Sequence, residues 1–327
     1  MARLGINGFG RIGRYLVRLM AEANEFPAAI NARASNATLA HLFKYDSVHG
    51  TFNGTVSHDD DGIIINGQHI TVTRAKIGEW DWAGLGVDLV IETSGAIKKR
   101  PGLAEHIARG AKKVIMSAPV SDADITIVMG VNDGQYDPAA HDVISSASCT
   151  TNCIVPVVKV LNDVYGIKHG MITTIHSYTM SQRLLDGSDK DIRRARAAAL
   201  SIIPTTTGAG SAVSQVLPEL KGRLGSAALR VPTPNVSIVD LTCTLEKPIT
   251  IESVNATMRE HANEHYGVSD EPLVSVDYNG DTHGGVVDAL STDVIDNCLL
   301  KMLIWYDNEA GFTNQLLRLV HMVANSL

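Results

Sequence analysis

Residues 3–13 read RLGINGFGRIG, a short apolar run followed at once by the glycine pattern G-x-G-x-x-G. Residues 10–23 then place apolar side chains at helical spacing, so the stretch predicts a strand, a tight turn and a helix. Glycines alone would indicate only a tight turn. In this context they predict a dinucleotide site, where the backbone at Gly8, Gly10 and Gly13 lies close to a pyrophosphate and the helix N-terminus binds it.

Strand and helix patterns keep alternating through residues 1–148. Further buried-looking strands are expected at 28–31, 87–91 and 113–116, with helices at 36–44 and between the last two strands. Such alternation predicts a parallel sheet with helices on its faces. The first domain, 1–148, is therefore predicted to be an α/β, Rossmann-type, doubly wound dinucleotide-binding domain, interrupted over 51–73 by an antiparallel ribbon.

Residues 149–311 have a different pattern, made of long alternating runs. These runs lie at 170–178, 225–246, 270–277 and 298–306, with a helix near 251–265. They predict an α+β catalytic domain with a mostly antiparallel sheet. A terminal helix over 312–327 has one apolar face, and we expect it to pack back onto the first domain. A chain of 327 residues fits two domains, because one core usually stops growing at roughly 250–300 residues.

The composition is typical of a soluble globular protein, with 45% hydrophobic residues, 19% charged residues and a mean hydropathy of +0.06. No apolar stretch reaches the ~18 residues that cross a bilayer, so we expect a cytoplasmic protein without membrane contacts. The net charge of −7 disfavours nucleic acid as a partner. The four cysteines lack the Cys-x-x-Cys spacing of metal or redox sites, and no metal site is predicted.

One cysteine lies where a reactive thiol would be expected. Residues 148–152 read SCTTN, between a strand pattern at 142–145 and a helix pattern at 154–165. A cysteine in the first turn of a helix faces backbone N–H groups and the positive end of the helix dipole, which favours the thiolate. Cys149 is therefore the predicted nucleophile. Its candidate base is His176, at the end of a β-rich run, although a histidine taken alone is more often structural.

Two further features are typical of anion receptors. Residues 205–210 read TTTGAG, and hydroxyls with glycine N–H groups at a turn can hold a phosphate. Arg230 can grip a phosphate through two parallel hydrogen bonds. The alternatives are a polar turn that caps the next helix and a surface arginine on a strand.

The predicted second strand ends without the acidic residue that usually binds the ribose of NAD. Asn31 is followed by ARAS at 32–35, so no carboxylate repels a 2′-phosphate and Arg33 can pair with one. We therefore expect NADP to be used at least as well as NAD. The alternative is that Arg33 points into solvent.

Taken together, these motifs resemble the phosphorylating glyceraldehyde-3-phosphate dehydrogenases along almost the whole chain. The strings that carry the resemblance are INGFGRIGR (6–14), KYDSVHG (44–50), SASCTTNC (146–153), TTIHSYT (173–179), RRARAAA (193–199), IIPTTTGAG (202–210), RVPTPNVSIVDLT (230–242) and WYDNEAGF (305–312). The pair SCTTNC and WYDNE is highly specific to that family.

The resemblance implies a role for each site residue. Cys149 would form a thiohemiacetal with the aldehyde, and His176 would pair with the thiol and stabilise the oxyanion. The attacking inorganic phosphate would be held by Ser148, Thr150, Arg194, Thr207 and Gly208, and the 3-phosphate of the substrate by Thr179 and Arg230. The cofactor would meet Arg11 and Ile12 at the pyrophosphate, Ser117 beside it, and Asn308 at the nicotinamide carboxamide.

The resemblance also implies a homotetramer, assembled through the region around 180–200, that uses inorganic phosphate and a phosphorylated aldehyde. NAD-specific members carry an aspartate where this chain has Ala32. The loop 186–191 is similar to that of plastid NADP-using members, whose serine, here Ser188, reaches the 2′-phosphate across a subunit contact. Ser181, Ala310 and Phe312 also depart from the common pattern, at the rim of the site.

Two alternatives stay open beside this leading interpretation. One is a paralogue that acts on another phosphorylated aldehyde, such as erythrose 4-phosphate, or that serves arsenate detoxification. The other is a dinucleotide-binding regulatory protein with little turnover. The intact Cys149 and His176 argue against a regulatory protein, because a site that had lost catalysis would have no reason to keep a reactive thiol.

Overall fold

The computed structural model describes residues 2–327, which form two compact units. One unit extends to Ser148 and includes Leu316–Leu327; the other comprises Cys149–Gln315. Among the described residues, no helix is both long and apolar enough to cross a membrane.

The first unit consists of eleven strands and three helices. Its strands are β1 (Leu4–Asn7), β2 (Ala29–Asn31), β3 (Tyr45–Asp46), β4 (Gly50–Thr51), β5 (Val56–His58), β6 (Gly62–Ile65), β7 (Gln68–Thr73), β8 (Leu89–Glu92), β9 (Lys113–Met116), β10 (Ile125–Thr126) and β11 (Val143–Ser145). Its helices are α1 (Arg11–Glu22), α2 (Asn36–Lys44) and α3 (Arg100–Ala108).

Nine of these strands form one sheet, in the order β10-β11-β9-β8-β1-β2-β7-β6-β5. The strands from β10 to β7 pair in parallel, and β7, β6 and β5 pair antiparallel. The α/β prediction is confirmed, and the ribbon predicted at 51–73 extends the parallel sheet through β7. Because Asn7 pairs with both Asn31 and Glu92, the carboxyl ends of β1, β2 and β8 meet at one edge. Ligands bind at that edge in open α/β sheets.

The first unit has a buried core on one side of its sheet. A cluster joins Trp80 and Trp82 to sheet residues such as Val90 and Val114 and to Leu103 of α3. Burying each such aliphatic side chain contributes about 1.5–3 kcal/mol. This core fixes the loop that carries Trp80 beside the carboxyl end of the sheet.

The second unit contains a seven-stranded sheet, three complete α-helices and the first part of a fourth. Its strands are β12 (Ile167–Ser177), β13 (Ile203–Thr205), β14 (Leu224–Val231), β15 (Ser237–Leu245), β16 (Tyr266–Ser269), β17 (Gly285–Ile295) and β18 (Leu299–Tyr306). The helices are α4 (Cys149–Tyr165), α5 (Ala209–Val216), α6 (Ile251–His261) and α7 (Ala310–Ala324), of which α7 continues into the first unit. The sheet order is β13-β14-β12-β15-β18-β17-β16.

The predicted α+β character of this unit is confirmed, since four of its six strand pairs are antiparallel. The run predicted at 225–246 is two strands, because Pro232 and Pro234 lie between β14 and β15 and cannot donate to a strand ladder.

The strand predicted at 270–277 is wrong. Part of that stretch is a 3₁₀ helix, Ser275–Tyr278, and its alternating Val274 and Val276 are 57% and 72% exposed in this chain rather than directed at a core. The strand in this region is β16, which pairs with β17, a long strand that the sequence pattern did not reveal.

Candidate active site

Cys149 is the first residue of α4, directly after a sharp turn from β11. Ala147 in that turn has φ = +59°, a left-handed conformation that is uncommon for a residue with a side chain. Its backbone N–H donates to Oγ of Ser145 at 3.1 Å, which holds the turn. The chain thereby passes from strand to helix in three residues and places the cysteine in the first helical turn.

Cys149 and His176, the two residues predicted to carry the chemistry, lie side by side. Sγ of Cys149 is 3.4 Å from Nε2 of His176, which is close to the end of β12. His176 is buried and Cys149 is half-buried. The distance allows a proton to pass between the sulfur and the imidazole.

The pKa of Cys149 is shifted in the direction opposite to that predicted from its position at the start of a helix. Burial raises the pKa of the Cys149 thiol, although Arg230 and hydrogen bonds from Thr150 act in the opposite direction. Burial is the larger cause, and Arg230 the smaller one, that lowers the pKa of His176 to about 4; the hydrogen bond with the Ser177 carbonyl acts to raise it. Both shifts oppose the predicted resting thiolate, because burial favours a neutral thiol beside a neutral imidazole.

Arg230 lies against the base. His176 and Arg230 are partners in the parallel pairing of β12 and β14. Nη1 of Arg230 is 2.6 Å from Nδ1 of His176 and donates to the carbonyl oxygen of Ser177 at 2.8 Å. Nδ1 is itself 2.7 Å from that carbonyl oxygen. The predicted phosphate ligand thus touches the predicted base.

Tyr306 is a site residue that the sequence analysis did not single out. Its hydroxyl is 2.9 Å from Oγ1 of Thr150 and 2.8 Å from Oγ1 of Thr174, and its ring meets the edge of His176 at 5.9 Å. Burial raises the pKa of Tyr306, so the phenol stays protonated. The hydroxyl of Thr150 is therefore held inside the protein, and the backbone N–H of Thr150 is directed at the sulfur of Cys149. Tyr306 lies within the WYDNE string at 305–309, and its place in that family motif was the one sequence signal that could have marked it as a site residue.

The residues predicted to hold inorganic phosphate are only partly brought together. Nε of Arg194 donates to Oγ1 of Thr205 at 2.8 Å, so the arginine does meet the TTTGAG turn. Oγ1 of Thr207 accepts from the N–H of Ala209 at 3.2 Å, and Gly208 is the residue before α5. Ser148 ends the other unit.

Two other predicted residues lie in the segment after β12. Oγ1 of Thr179, a predicted 3-phosphate ligand, is 2.9 Å from Oγ of Ser181. The carbonyl of Ser188 accepts from Nε and Nη2 of Arg183 at 3.0 and 2.6 Å. Ser188 and Arg194 line one open cleft of about 700 Å³, together with Arg183 and Lys190.

The first unit has a cleft of about 720 Å³ at the carboxyl edge of its sheet, and its glycines fit a dinucleotide. Gly8 has φ = +101°, and a Cβ there would lie 2.6 Å from the Ser94 backbone. A Cβ on Gly13 would lie 2.4 Å from the carbonyl oxygen of Gly8. At Gly10 a Cβ meets no described atom within 4 Å. The first and third glycines are thus needed for the turn and for packing, and the second leaves open space for a close ligand.

Two predicted cofactor residues are engaged within the first unit. The guanidinium of Arg11 pairs with both carboxylate oxygens of Asp46. Although burial of Asp46 acts to raise its pKa, hydrogen bonds from Arg11, His49 and Val48 hold that pKa well below its usual range. Arg11 and Ile12 could therefore meet a pyrophosphate through their backbone N–H groups. Oγ of Ser117 donates to the carbonyl of Glu92 at 2.9 Å.

The cleft in the first unit is cationic on one side. Arg33, Arg74 and Lys76 line it, and none of its described lining residues is acidic. Nη2 of Arg74 donates to the carbonyl of Ala34 at 2.9 Å and to Oδ1 of Asn36 at 2.7 Å, which places it beside the segment that holds Arg33. Arg74 and Lys76 could not be assigned to this site from the sequence, because the pairing of β7 with β2 that brings them there leaves no local signal.

Asn308, the predicted nicotinamide ligand, lies just beyond β18 and is buried. Its Oδ1 accepts a hydrogen bond from Oγ of Ser237 at 2.9 Å. Asp307 beside it accepts from the N–H groups of Glu309 and Ala310, both at 2.8 Å, and so fixes the local backbone.

Comparison with known proteins identifies the family. The chain matches the family model described as glyceraldehyde 3-phosphate dehydrogenase, NAD binding domain, over residues 2–100, and the model for the C-terminal domain of the same enzyme over residues 148–308.

Individual relatives agree with the family models along the whole chain. It is 53% identical to the glyceraldehyde-3-phosphate dehydrogenase of Geobacillus stearothermophilus, covering 99% of this chain and 98% of the relative. It is 51% identical to glyceraldehyde-3-phosphate dehydrogenase 1 of Bacillus subtilis (98% of each) and 48% identical to the enzyme of Mycolicibacterium smegmatis (99% of each). The chain therefore belongs to the glyceraldehyde-3-phosphate dehydrogenase family of NAD-dependent oxidoreductases.

Proposed function

We propose that this enzyme oxidises D-glyceraldehyde 3-phosphate with inorganic phosphate to 1,3-bisphosphoglycerate, reversibly, and that it favours NADP over NAD. The single observation that carries the chemistry is the 3.4 Å approach of Cys149 Sγ to His176 Nε2, with Arg230 beside the ring. A thiol and an imidazole at that distance, next to an arginine for the substrate phosphate, suit acyl transfer through a thioester.

The first step is nucleophilic addition by Cys149. With Nδ1 of His176 donating to the Ser177 carbonyl, Nε2 accepts the thiol proton as Sγ bonds to the aldehyde carbon. The protonated Nε2 then donates to the oxyanion of the thiohemiacetal. Because burial favours the neutral thiol and the neutral imidazole, the proton passes to Nε2 as Sγ attacks the aldehyde.

The later steps need an electron-pair acceptor and phosphate. Asn308 would hold the nicotinamide end of the cofactor, which would supply the hydride acceptor for the former aldehyde carbon, and His176 takes back the hydroxyl proton. Inorganic phosphate then attacks the thioester carbonyl, and the carbon–sulfur bond breaks to release the acyl phosphate and the Cys149 thiolate, which takes the proton back from His176. We assign that phosphate to Ser148, Thr150, Arg194, Thr207 and Gly208, as the family resemblance implies.

Arg230 has two tasks in this scheme. With Thr179 it would bind the 3-phosphate of the substrate, and in the structure it donates toward Nδ1 of His176. A phosphate dianion would attract the guanidinium away from Nδ1 of His176. Nδ1 can then carry the ring proton and donate it to the Ser177 carbonyl, so that Nε2 is unprotonated and can act as the base. Substrate binding would thus prepare the base.

The preference for NADP is supported by the charge of the cleft in the first unit. Arg33, Arg74 and Lys76 line it without a carboxylate among its described residues. The guanidinium of Arg33 has no hydrogen-bond or ion-pair partner within residues 2–327, so it is available for a 2′-phosphate. Ser188 would add a hydroxyl from a neighbouring subunit, as the plastid-like loop implies.

A homotetramer is part of this proposal. The segment expected to exchange between subunits carries Met180, Leu184 and Ile192, which are 80–86% exposed in the single chain. Exposed apolar residues grouped on one segment are typical of a protein interface.

The test is a steady-state comparison of NAD and NADP with glyceraldehyde 3-phosphate, with and without inorganic phosphate. We expect phosphate-dependent turnover with a higher kcat/KM for NADP. Erythrose 4-phosphate as substrate and arsenate in place of phosphate separate the related activities, and turnover that ignores phosphate would reject the acyl-phosphate product.

A further inference from the structure

A hydrogen-bond relay connects the catalytic strand to Asn308. The backbone N–H of Ser177 donates to Oγ of Ser237 at 3.0 Å, and Oγ of Ser237 donates to Oδ1 of Asn308 at 2.9 Å. The three residues come from the end of β12, the start of β15 and the segment after β18. All are buried, with Ser177 at 0%, Ser237 at 2% and Asn308 at 8% exposure, so water does not substitute for these bonds.

The direction of the relay follows from the chemistry of its members. A backbone N–H can only donate, so Ser237 uses a lone pair toward Ser177. The one hydroxyl proton of Ser237 is then directed at Asn308, and its acceptor must be the amide oxygen. If the amide were flipped, the serine proton would lose that acceptor in a buried place, which is costly. The relay therefore fixes which end of the Asn308 amide is held.

The backbone beside Asn308 is held by hydrogen bonds to the carboxylate of Asp307. Oδ2 of Asp307 accepts from Nδ2 of Asn235 and from the N–H of Gly280, both at 2.8 Å, while its Oδ1 holds the turn that follows. The choice between the two flipped orientations of the Asn308 side-chain amide is then the one that Ser237 determines. Within residues 2–327, Nδ2 of Asn308 has no hydrogen-bond partner, so its two N–H groups are left for a ligand.

We propose that Ser237 is a positioning residue that locks the Asn308 amide with its oxygen inward, so that Asn308 offers a donor and selects a carbonyl oxygen on the nicotinamide carboxamide. The inference rests on the proposed function, in which Asn308 meets that group. Ser237 touches neither substrate nor cofactor in this scheme. It acts through Asn308, and through Ser177 it ties that amide to the strand that carries His176.

Three ligands separate the parts of this proposal by isothermal titration calorimetry. NADP⁺ has a carboxamide with a carbonyl and an NH₂ group, its 3-acetylpyridine analogue keeps the carbonyl and replaces NH₂ by methyl, and adenosine 2′,5′-bisphosphate lacks the nicotinamide end. In the wild type we expect the first two to bind within about threefold of each other, because the locked amide needs only the carbonyl.

Ser237→Ala should change that ratio. Without the serine proton the Asn308 amide should favour the flipped orientation, which can accept from the NH₂ group of NADP⁺ but has nothing to pair with on the acetylpyridine analogue, so only the small unflipped fraction binds the analogue. We expect the analogue to lose about tenfold in affinity, NADP⁺ about threefold or less, and adenosine 2′,5′-bisphosphate nothing. Ser237→Thr keeps the hydroxyl and should restore the wild-type ratio.

Two controls make each outcome decisive. Unchanged binding of adenosine 2′,5′-bisphosphate verifies that the first unit of each variant is folded. Asn308→Ala should weaken NADP⁺ binding and leave the bisphosphate unaffected; if NADP⁺ binding is unaffected as well, both Asn308 as the nicotinamide ligand and the role of Ser237 are rejected. If Asn308→Ala weakens NADP⁺ binding but Ser237→Ala leaves the ratio unchanged, only the positioning role is overturned. Binding without phosphate-dependent turnover would count against the activity alone.

Discussion

Nη1 of Arg230 lies 2.6 Å from Nδ1 of His176, so a half-buried cation touches the ring that accepts the thiol proton in the proposed mechanism. The two residues are register partners on β14 and β12, and their distance is therefore set by the sheet rather than by a mobile loop. Together with burial, this contact lowers the pKa of His176 to about 4. The base thus stays neutral across the physiological pH range.

Arg230→Gln should raise the pKa of His176, because it removes the charge that opposes protonation. It should also raise the KM for the aldehyde by about ten- to hundredfold, since a charged hydrogen bond to phosphate contributes about 1.5–3 kcal/mol. The pH profile of kcat/KM measures both effects. Arg230→Lys is the matched control: it keeps the charge, so the acidic limb should stay near the wild-type position. Identical acidic limbs in the two variants would contradict the electrostatic role.

The same low pKa predicts acid sensitivity of the fold. The unfolded imidazole has a pKa of about 6.5 and the folded one about 4, so below pH 6.5 the unfolded chain binds a proton that the folded chain does not. Stability should therefore fall as the pH decreases from 6.5 to 4, by about 3 kcal/mol from this residue. Urea unfolding of the wild type and of His176→Asn over that range measures it. Equal pH slopes for the two proteins would refute the assignment.

Cys149→Ser should reduce turnover below about one part in a thousand and leave the Kd for NADP unchanged, because the cysteine binds no part of the cofactor in the proposed mechanism. Cys153→Ala is the matched control on the same helix, since burial raises the pKa of Cys153 well above its ordinary value and excludes it as a nucleophile. The control should retain turnover. Substantial activity in Cys149→Ser would eliminate the thioester mechanism.

The Cys149 thiol should also show its raised pKa directly. The rate of iodoacetamide modification at this residue should keep increasing through pH 9 in the resting enzyme, without a plateau near neutrality. Mass spectrometry of tryptic peptides separates it from the other cysteines. A plateau below pH 8 would mean that the helix dipole outweighs desolvation after all.

Much of this architecture could be predicted from the sequence because its signals are local. The turn at 8–13 and the placement of Cys149 at a helix start follow from residues adjacent in the chain. Val274 and Val276 misled the prediction because alternation does not reveal which face of a segment is buried.

Other properties of the site depend on residues that are distant in the sequence. Desolvation raises the pKa of the Cys149 thiol, and no sequence motif encodes desolvation. Arg74 and Ser237 reach their sites through strand pairing, so neither could be assigned from spacing.

The cationic cleft should be sensitive to one added carboxylate. Ala32→Asp places an acidic group at the end of β2 beside Arg33, where it would repel a 2′-phosphate and accept from ribose hydroxyls. We expect the NADP/NAD ratio of kcat/KM to fall by about tenfold or more, with much of the change in KM. Arg33→Ala should lower kcat/KM for NADP by about tenfold and leave kcat/KM for NAD unchanged, because it removes a phosphate partner without adding a ribose ligand.

Arg109→Ala is the matched control for charge, because Arg109 is exposed and does not line the cleft, so removing it should leave both cofactors unaffected. Binding of adenosine 2′,5′-bisphosphate and of 5′-AMP by calorimetry gives the same comparison without turnover. If Ala32→Asp weakened both ligands equally, the substitution would have disturbed the cleft rather than its charge. If neither Arg33→Ala nor Ala32→Asp changed the ratio, the 2′-phosphate would have to be recognised by Arg74, Lys76 or Ser188 instead, and Arg33 would be only a surface residue.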